Sequence, residues 1–164
     1  MLMLNPDLYL TSVFEITPKV LSALEVVAII LDVDNTIRQH KEFEIYDGVS
    51  NWVESIKKAG FLFVIASNNF EKNIKPVADV LNLPYVSLCF KPFPIGLRKA
   101  IRKLNVENKN IAIVGDQFFT DVVGGKLQGV KTILIKPLKM EKGFFWRIRR
   151  KLEKAVLHIF QKRR

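Results

Sequence analysis

Five short apolar runs alternate along the chain with segments of helical periodicity. The runs occupy residues 26–31, 61–66, 85–90, 111–115 and 131–135. They are apolar throughout rather than every second residue, which is typical of parallel strands covered on both faces. Apolar residues at helical spacing predict helices over 48–59, 70–82, 94–104 and 120–128, and Pro76 favours a start of the second helix near that residue. We predict an α/β fold whose open, five-stranded, mainly parallel sheet lies between helices.

Polar residues follow four of these runs, each at the carboxyl end of a predicted strand. In chain order they are Asp32 and Asp34, then Ser67, Asn68 and Asn69, then Lys91, and finally Asp116 with Asp121 five residues further on. In open α/β sheets, ligands bind outside the carboxyl ends of the strands. The sequence therefore predicts a functional site at one edge of the sheet.

Two carboxylates at the end of a buried strand require a compensating positive charge. Asp32 and Asp34 follow the run Ala28–Leu31 with only one residue between them. Hard divalent cations take oxygen ligands, and Mg²⁺ usually binds one or two carboxylates together with phosphate oxygens. Asp32 and Asp116 are the candidate carboxylate ligands, and the cation would offset the cost of burying their charge.

The same residue types can carry out phosphoryl transfer. This chemistry needs a nucleophile, an acid for the leaving oxygen and positive groups around the phosphate. We assign attack to Asp32 and acid–base work to Asp34, which must then differ in pKa. Ser67 and nearby backbone N–H groups can hold phosphate oxygens, and Lys91 supplies a point charge.

Four motifs in order resemble those of the haloacid dehalogenase (HAD) superfamily of aspartate-nucleophile phosphatases. They are "DVDNT", "FVIASNN", the lysine of "FKP" and "VGDQFFTD", and the resemblance covers about residues 26–135. Together with "NPDLY", "KPFPIGLRKA" and "GDQFFTDVVGG", they are similar to the YqeG-type, subclass IIIA phosphatases. That group is related to the phosphatidylglycerophosphate phosphatases.

The resemblance implies a Rossmann-like HAD fold and specific residue roles. Asp32 would be the nucleophile and a Mg²⁺ ligand, Asp34 the acid–base and a ligand through its backbone carbonyl, and Asp116 the second carboxylate ligand. Ser67 and Asn68 would bind phosphate, and Lys91 would neutralise it. Thr36 completes the first motif as a supporting residue, and Asp121 would support Lys91 or a metal-bound water. The implied reaction is Mg²⁺-dependent hydrolysis of a phosphomonoester, with phosphatidylglycerophosphate as the implied substrate.

The short connections between the motifs leave no room for a cap domain. Only a small flap at 37–47 is expected above the site. An uncovered site suits a phosphate group presented by a larger body, such as a membrane, a protein or a polynucleotide.

Charge divides the chain into a nearly neutral phosphatase domain over 1–136 and a basic tail over 137–164. Residues 136–164 hold eleven Lys or Arg and two Glu, whereas 1–135 hold fifteen against fourteen acidic residues. Apolar residues at helical spacing within 143–164 predict an amphipathic helix that contacts anionic phospholipid. The N-terminus lacks the features of a signal peptide, and the lone Cys89 suits a reducing compartment. We therefore expect a cytoplasmic protein, peripheral on the inner face of the membrane.

Other interpretations stay open at this point. The site could serve nucleic-acid ends or a soluble phosphomonoester, with the tail binding phosphates, or the chain could be a non-catalytic binding protein on the same fold. The tail could instead pack on the domain or on a second subunit. Asp121 could make only structural hydrogen bonds, and Asn69 could simply cap the following helix.

Overall fold

The structure is a computed structural model that describes residues 5–39 and 44–137. These residues form one sheet of six parallel strands in the order β1-β6-β5-β2-β3-β4. The strands are β1 Leu8–Leu10, β2 Ala28–Leu31, β3 Leu62–Ala66, β4 Tyr85–Val86, β5 Ile111–Gly115 and β6 Lys131–Ile135. The helices are α1 Pro18–Ala23, α2 Val49–Lys58, α3 Glu71–Leu81, α4 Pro94–Leu104 and α5 Val123–Leu127. The predicted class, an open α/β sheet between helices, is confirmed.

The continuous apolar runs are buried because both faces of the sheet are covered. Along β2, Ile29 and Leu31 belong to one core cluster, and Ala28 and Ile30 belong to the other. Side chains alternate between the two faces of a strand, so a strand with helices on both sides must be apolar at every position. This requirement explains why the first run has no polar residue before Asp32.

The helices divide between these two clusters. Buried residues of α1, α2 and α3 pack on the face that carries Ile29, whereas α4 packs on the face that carries Ile30. Trp52 in α2 contacts Phe63 edge to face, and its indole N–H donates to the carbonyl of Ile16 at 2.9 Å. These contacts join α2 to β3, whose carboxyl end bears Ser67, and to the segment before α1.

The predicted number of strands is wrong by one, and one predicted strand is too long. The sixth strand is β1, a three-residue edge strand that pairs with β6, and its brevity hides it from a periodicity analysis. The third run continues to residue 90 in the sequence, but β4 ends at Val86. Leu88 and Phe90 take left-handed backbone conformations, with φ of 48° and 52°. A strand cannot continue through such residues.

The suggestion that a helix starts near Pro76 is also wrong. Helix α3 begins at Glu71 and contains Pro76 in its interior. Proline there removes one hydrogen bond of the helix. The helix continues because Ile74, Val77 and Leu81 are all buried on the same side of it.

The longest connection at the carboxyl edge of the sheet joins β2 to α2 over residues 32–48. Within it, the chain on the two sides of residues 40–43 is held together by a bridge between Arg38 and Ile45 and by a 2.9 Å hydrogen bond from the amide of Tyr46 to the carbonyl of Ile37. Residues 40–43 of the predicted flap, and 138–164 of the predicted tail, lie outside the described residues. Across 5–39 and 44–137, no helix combines the length and apolar character needed to span a membrane.

A glycine in α4 allows this helix to pack against the loop that precedes Lys91. A Cβ atom on Gly96 would lie 2.2 Å from Cα of Cys89, and its nearest neighbours are all backbone atoms. Backbone atoms cannot move aside as the end of a side chain can. The close approach therefore fixes the loop that carries Lys91 relative to α4.

We expect Gly96→Ala to destabilise the protein, although alanine normally favours a helix over glycine. The forced separation of α4 from the loop should lower the free energy of unfolding by about 2 kcal/mol. Urea unfolding followed by circular dichroism measures this loss. The matched control is Arg102→Ala, an exposed position in the same helix, which should change stability by less than about 0.5 kcal/mol. Equal stability of Gly96→Ala and the parent would contradict the packing described here.

Candidate active site

A buried lysine joins two of the predicted acidic residues. The ammonium Nζ of Lys91 donates to Oδ1 of Asp32 at 2.7 Å and to Oδ1 of Asp121 at 2.6 Å. All three side chains are almost completely buried. Since Asp32 follows β2, Lys91 follows β4 and Asp121 follows β5, the contact brings together three separate strand ends.

Asp32, Asp116 and Asp121 form a buried carboxylate cluster. Each offers an oxygen atom, and these atoms lie within 4.8 Å of one another. With Lys91 included, the ionised group carries a formal charge of −2, which a divalent cation would balance. Closely spaced carboxylate oxygens are also the donors that hard divalent cations prefer. The side chains present therefore fit such an ion.

Asp121 is held by a π-helical turn, Phe118–Val122, which directly precedes α5. Its second oxygen, Oδ2, accepts the backbone N–H of Gln117 at 3.1 Å. Gly115 provides the space, because a Cβ there would lie 2.3 Å from the carboxylate of Asp121. The sequence left open whether Asp121 belongs to the site or makes only structural hydrogen bonds. In the structure, its two oxygens contact Lys91 and the backbone respectively.

Asp34 contacts a different set of side chains from Asp32. Its Oδ1 accepts from Nε of Arg38 at 2.9 Å, and its Oδ2 accepts from Nδ2 of Asn69 at 3.1 Å. Arg38 is fully buried and also donates to the carbonyl of Asn73 in α3. The two aspartates of the first motif thus have different electrostatic environments, as different chemical roles require.

The residues after β3 hold the lysine loop in place. Asn68 binds the backbone of Lys91 at both ends of its amide: Oδ1 accepts the Lys91 N–H at 2.7 Å, and Nδ2 donates to the Lys91 carbonyl at 3.0 Å. The buried hydroxyl Oγ of Ser67 accepts the N–H of Asn69 at 3.1 Å. Ser67 therefore lies at the predicted edge, and the side-chain amide of Asn68 orients the loop that carries Lys91.

Thr36 lies in the tight turn that follows Asp34. Asn35 takes a left-handed conformation with φ of 62°, and the Thr36 N–H donates to the carbonyl of Val33. Thr36 is completely buried. Its contribution in this structure is to the turn that presents Asp34.

Burial controls the ionisation of Asp32 and Lys91. The pKa of Asp32 is raised to about 8, chiefly by burial; the ammonium of Lys91 opposes this rise, and the charges of Asp121 and Asp116 add to it. Burial alone would lower the pKa of Lys91, but the carboxylates of Asp121 and Asp32 outweigh it and raise that pKa. Lys91 is therefore a permanent cation, whereas Asp32 takes up a proton readily when no metal ion is bound.

Sequence reasoning missed Arg38 and Asn73; it placed Asn69 among the polar residues at the strand ends, with capping of the next helix as the alternative. Asn69 does accept the N–H of Phe70 and the side-chain amide of Asn73 through Oδ1, while its Nδ2 contacts Asp34. The signal for Arg38 was present, since it lies four residues after Asp34. That spacing normally indicates a pair on a helix, and this segment is a turn.

A family model for haloacid dehalogenase-like hydrolases matches residues 8–129, which is most of the chain. The chain belongs to this hydrolase family. A probable phosphatase, YqeG of Bacillus subtilis (strain 168), is 31% identical over 158 residues, which cover 96% of this chain and 92% of that protein. The prediction of a YqeG-type phosphatase is confirmed. The relation to phosphatidylglycerophosphate phosphatases stays a prediction.

Solved structures share the fold at low sequence identity. An uncharacterised protein from Listeria monocytogenes serotype 4b has a TM-score of 0.57 and 16% identity, with 72% of this chain and 85% of that chain covered. The putative HAD hydrolase YfnB of Bacillus subtilis, solved with bound magnesium, has a TM-score of 0.52 and 16% identity, with 64% of this chain and 50% of that chain covered. Both support the predicted Rossmann-like HAD fold.

We expect the stability of the metal-free protein to fall as pH rises, relative to Asp32→Asn. Folding raises the pKa of Asp32 from 3.8 to about 8, so the folded protein holds this proton more tightly than the unfolded chain. The resulting stability is complete below the unfolded pKa and is lost as pH rises towards 8.

Urea unfolding in EDTA at pH 5.5, 6.5 and 7.5 tests this dependence. For each unit that the pH rises, the unfolding free energy of the parent should fall by about 1 kcal/mol relative to that of Asp32→Asn. The control Asp79→Asn replaces an exposed aspartate and should show no such trend. A difference that stays constant with pH would rule out the raised pKa.

Proposed function

We propose that this phosphatase hydrolyses phosphomonoesters through a phospho-Asp32 intermediate with Mg²⁺ as its cofactor, and that its substrate is phosphatidylglycerophosphate. One observation supports the chemistry above all others. Asp32 lies in a buried group with a formal charge of −2, while Asp34 lies in a separate set of contacts with Arg38 and Asn69. These separate environments support different roles for the two carboxylates, with Asp32 as the nucleophile and Asp34 as the acid.

The reaction begins with attack by a carboxylate oxygen of Asp32 on the phosphorus atom. The bond from phosphorus to the ester oxygen breaks, and Asp34 donates a proton to that oxygen as the alcohol leaves. In the second step, Asp34 accepts a proton from water as the water attacks phospho-Asp32. Inorganic phosphate leaves, and both aspartates return to their starting states.

Mg²⁺ would be held by Asp32, Asp116 and Asp121, whose oxygens are already grouped. The ion supplies positive charge that balances these carboxylates and the incoming phosphate. The magnesium reported in the fold relative YfnB supports this choice of ion. A further contribution from the backbone carbonyl of Asp34 stays a prediction.

Lys91 and the segment after β3 would bind the phosphate. The raised pKa of Lys91 keeps its ammonium charged beside Asp32, where negative charge develops during transfer. Ser67 begins the turn after β3, and its hydroxyl and neighbouring N–H groups can approach phosphate oxygens. Asn68 would contribute by fixing the backbone of Lys91.

The choice of substrate rests on three kinds of support. The chain resembles a group of phosphatases that is related to the phosphatidylglycerophosphate phosphatases. In the described part of the chain, no helix or strand is inserted between β2 and α2 or between β3 and α3, where a cap domain would be placed, and an uncovered site suits a phosphate carried by a large body. Its basic tail, with apolar residues at helical spacing, suits an anionic membrane surface. We accordingly propose peripheral association with the cytoplasmic face of the membrane.

We expect Asp32→Asn to abolish phosphate release, because an amide cannot form the phosphoenzyme intermediate. The loss should exceed about a thousandfold in kcat with an aryl phosphate as substrate. Removal of Mg²⁺ by EDTA should inactivate the parent enzyme reversibly. Asp79→Asn, remote from the site, should retain parental kcat, and circular dichroism checks that both variants fold. Turnover by Asp32→Asn near the parental rate would refute the nucleophile assignment.

A phosphate-release screen tests the substrate. We expect phosphatidylglycerophosphate in mixed detergent micelles to give a kcat/KM at least about tenfold above those of sugar phosphates, nucleotides and 3′- or 5′-phosphorylated oligonucleotides. A higher kcat/KM for the oligonucleotides would contradict the lipid substrate and indicate that nucleic-acid ends are the substrate. Preference for a small phosphate would point to a soluble substrate.

A further inference from the structure

Exposed apolar side chains lie in and beside the loops that carry the candidate active site. We call them the apolar rim, and they are Phe70, Leu88, Phe90, Phe93, Ile95 and Phe119. Among the described residues, five phenylalanines are exposed, and four of them belong to the rim. Isolated exposed apolar residues are ordinary, but a group of them beside a functional site indicates an interaction surface.

The rim residues belong to the same loops as the site residues. Phe70 directly follows Asn69, and Phe90 directly precedes Lys91. Phe119 lies in the turn that holds Asp121. The loops are joined by a 3.0 Å hydrogen bond from the Leu88 N–H to the carbonyl of Asn69. Any surface that contacts the rim therefore meets the loops that carry the site residues.

Folding alone does not account for the side chains at two rim positions. Leu88 and Phe90 have left-handed backbone conformations, which glycine or asparagine adopts at lower cost. Both side chains are also exposed, so a polar side chain would be better solvated. Large apolar residues are thus unfavourable there on two grounds, unless the side chains meet a partner.

Positive charge lies next to the rim. Helix α4 begins at the rim with Pro94 and Ile95, and it contains four basic residues and no acidic one. Of these, Arg98 and Lys99 are exposed and lie about one turn after Pro94, whereas Arg102 and Lys103 lie in the last turn of the helix, away from the rim. Exposed aromatic and aliphatic residues beside cations match the interface of an anionic bilayer, where apolar side chains reach the acyl boundary and cations contact the headgroups.

Two other occupants match the rim less well. Single-stranded nucleic acid would stack on aromatic rings, but Leu88 and Ile95 have no π face for a base to stack on. The chain's own basic tail would bring further positive charge to the basic surface of α4. An anionic bilayer satisfies the apolar and the charged parts of the surface together.

We propose that the apolar rim enters the headgroup region of an anionic bilayer, so that the candidate active site opens directly onto the membrane surface. This inference rests on the proposed function in one respect, namely that the phosphate to be cleaved belongs to a lipid. It differs from membrane binding by the tail, because it defines which face of the folded domain meets the lipid.

A tryptophan placed in the rim reports insertion directly. The variants are Phe93→Trp in the rim and Val80→Trp in the last turn of α3, near the opposite edge of the sheet. Both parent side chains are 67% exposed, so the pair is matched in exposure. Full-length proteins are mixed with phosphatidylcholine–phosphatidylglycerol vesicles whose acyl chains are brominated or unmodified, and the parent signal from Trp52 and Trp146 is subtracted.

We expect the added fluorescence of Phe93→Trp to shift to shorter wavelength and to be quenched about twofold by brominated chains, whereas that of Val80→Trp is unchanged. Phe93→Ser should weaken vesicle binding about tenfold, and Val80→Ser should not. Equal quenching of the two tryptophans, or no binding of the parent to vesicles, overturns the proposal. A blue shift of Phe93→Trp with a single-stranded oligonucleotide but not with vesicles also overturns it.

The failure of this inference can be told from failure of the proposed function. Hydrolysis of phosphatidylglycerophosphate in mixed micelles does not require the rim to enter a bilayer. Hydrolysis with an uninserted rim would leave the proposed function intact and refute the inference. Insertion of the rim without hydrolysis of the lipid would refute the proposed substrate and leave the inference about the rim intact.

Discussion

The buried ammonium of Lys91 is the interaction on which the site depends. Asp32, Asp116 and Asp121 bring three carboxylates to within 4.8 Å of one another, and such a cluster repels itself strongly in a buried environment. Lys91 contacts two of the three directly. Because one ammonium cannot balance three carboxylates, the site retains negative charge. A bound divalent cation would balance this charge.

The surrounding structure holds the ammonium of Lys91 in position. Asn68 binds the backbone of Lys91, and Gly96 lets α4 approach the preceding loop. Gly115 leaves space for Asp121. A different set of contacts, centred on Arg38, holds Asp34. The fold thereby gives Asp32 and Asp34 different contacts, although only one residue lies between them in the sequence.

Much of the fold and the grouping of the site could be predicted because they depend on simple periodic patterns. Continuous apolar runs identified the buried parallel strands, and the carboxyl-end rule placed Asp32, Ser67, Lys91 and Asp116 at one edge. The edge strand β1 escaped detection because three residues carry too little pattern. The left-handed conformations of Leu88 and Phe90 were also unpredictable, since neither residue favours them and the loop's tertiary hydrogen bonds impose them.

Arg38 shows a different limit. Its pairing with Asp34 depends on how a turn folds back towards α3, where the carbonyl of Asn73 accepts from it. Charge spacing in the sequence cannot reveal such a turn. The apolar rim was likewise hidden, because Phe90 and Cys89 are neighbours in one apolar run. Only the structure separates the exposed side chain of the former from the buried side chain of the latter.

The position of each strand within the sheet has a consequence for local unfolding. The nucleophile candidate Asp32 follows β2, which is paired on both sides, by β3 and β5. Lys91 follows β4, a two-residue strand at the outer edge. Edge strands open more readily than central ones. Local opening of β4 would therefore move the ammonium of Lys91 away, while the acidic residues that follow the central strands stay in place. The charge balance of the site therefore depends on the hydrogen bonds that pair β4 with β3 at the edge of the sheet.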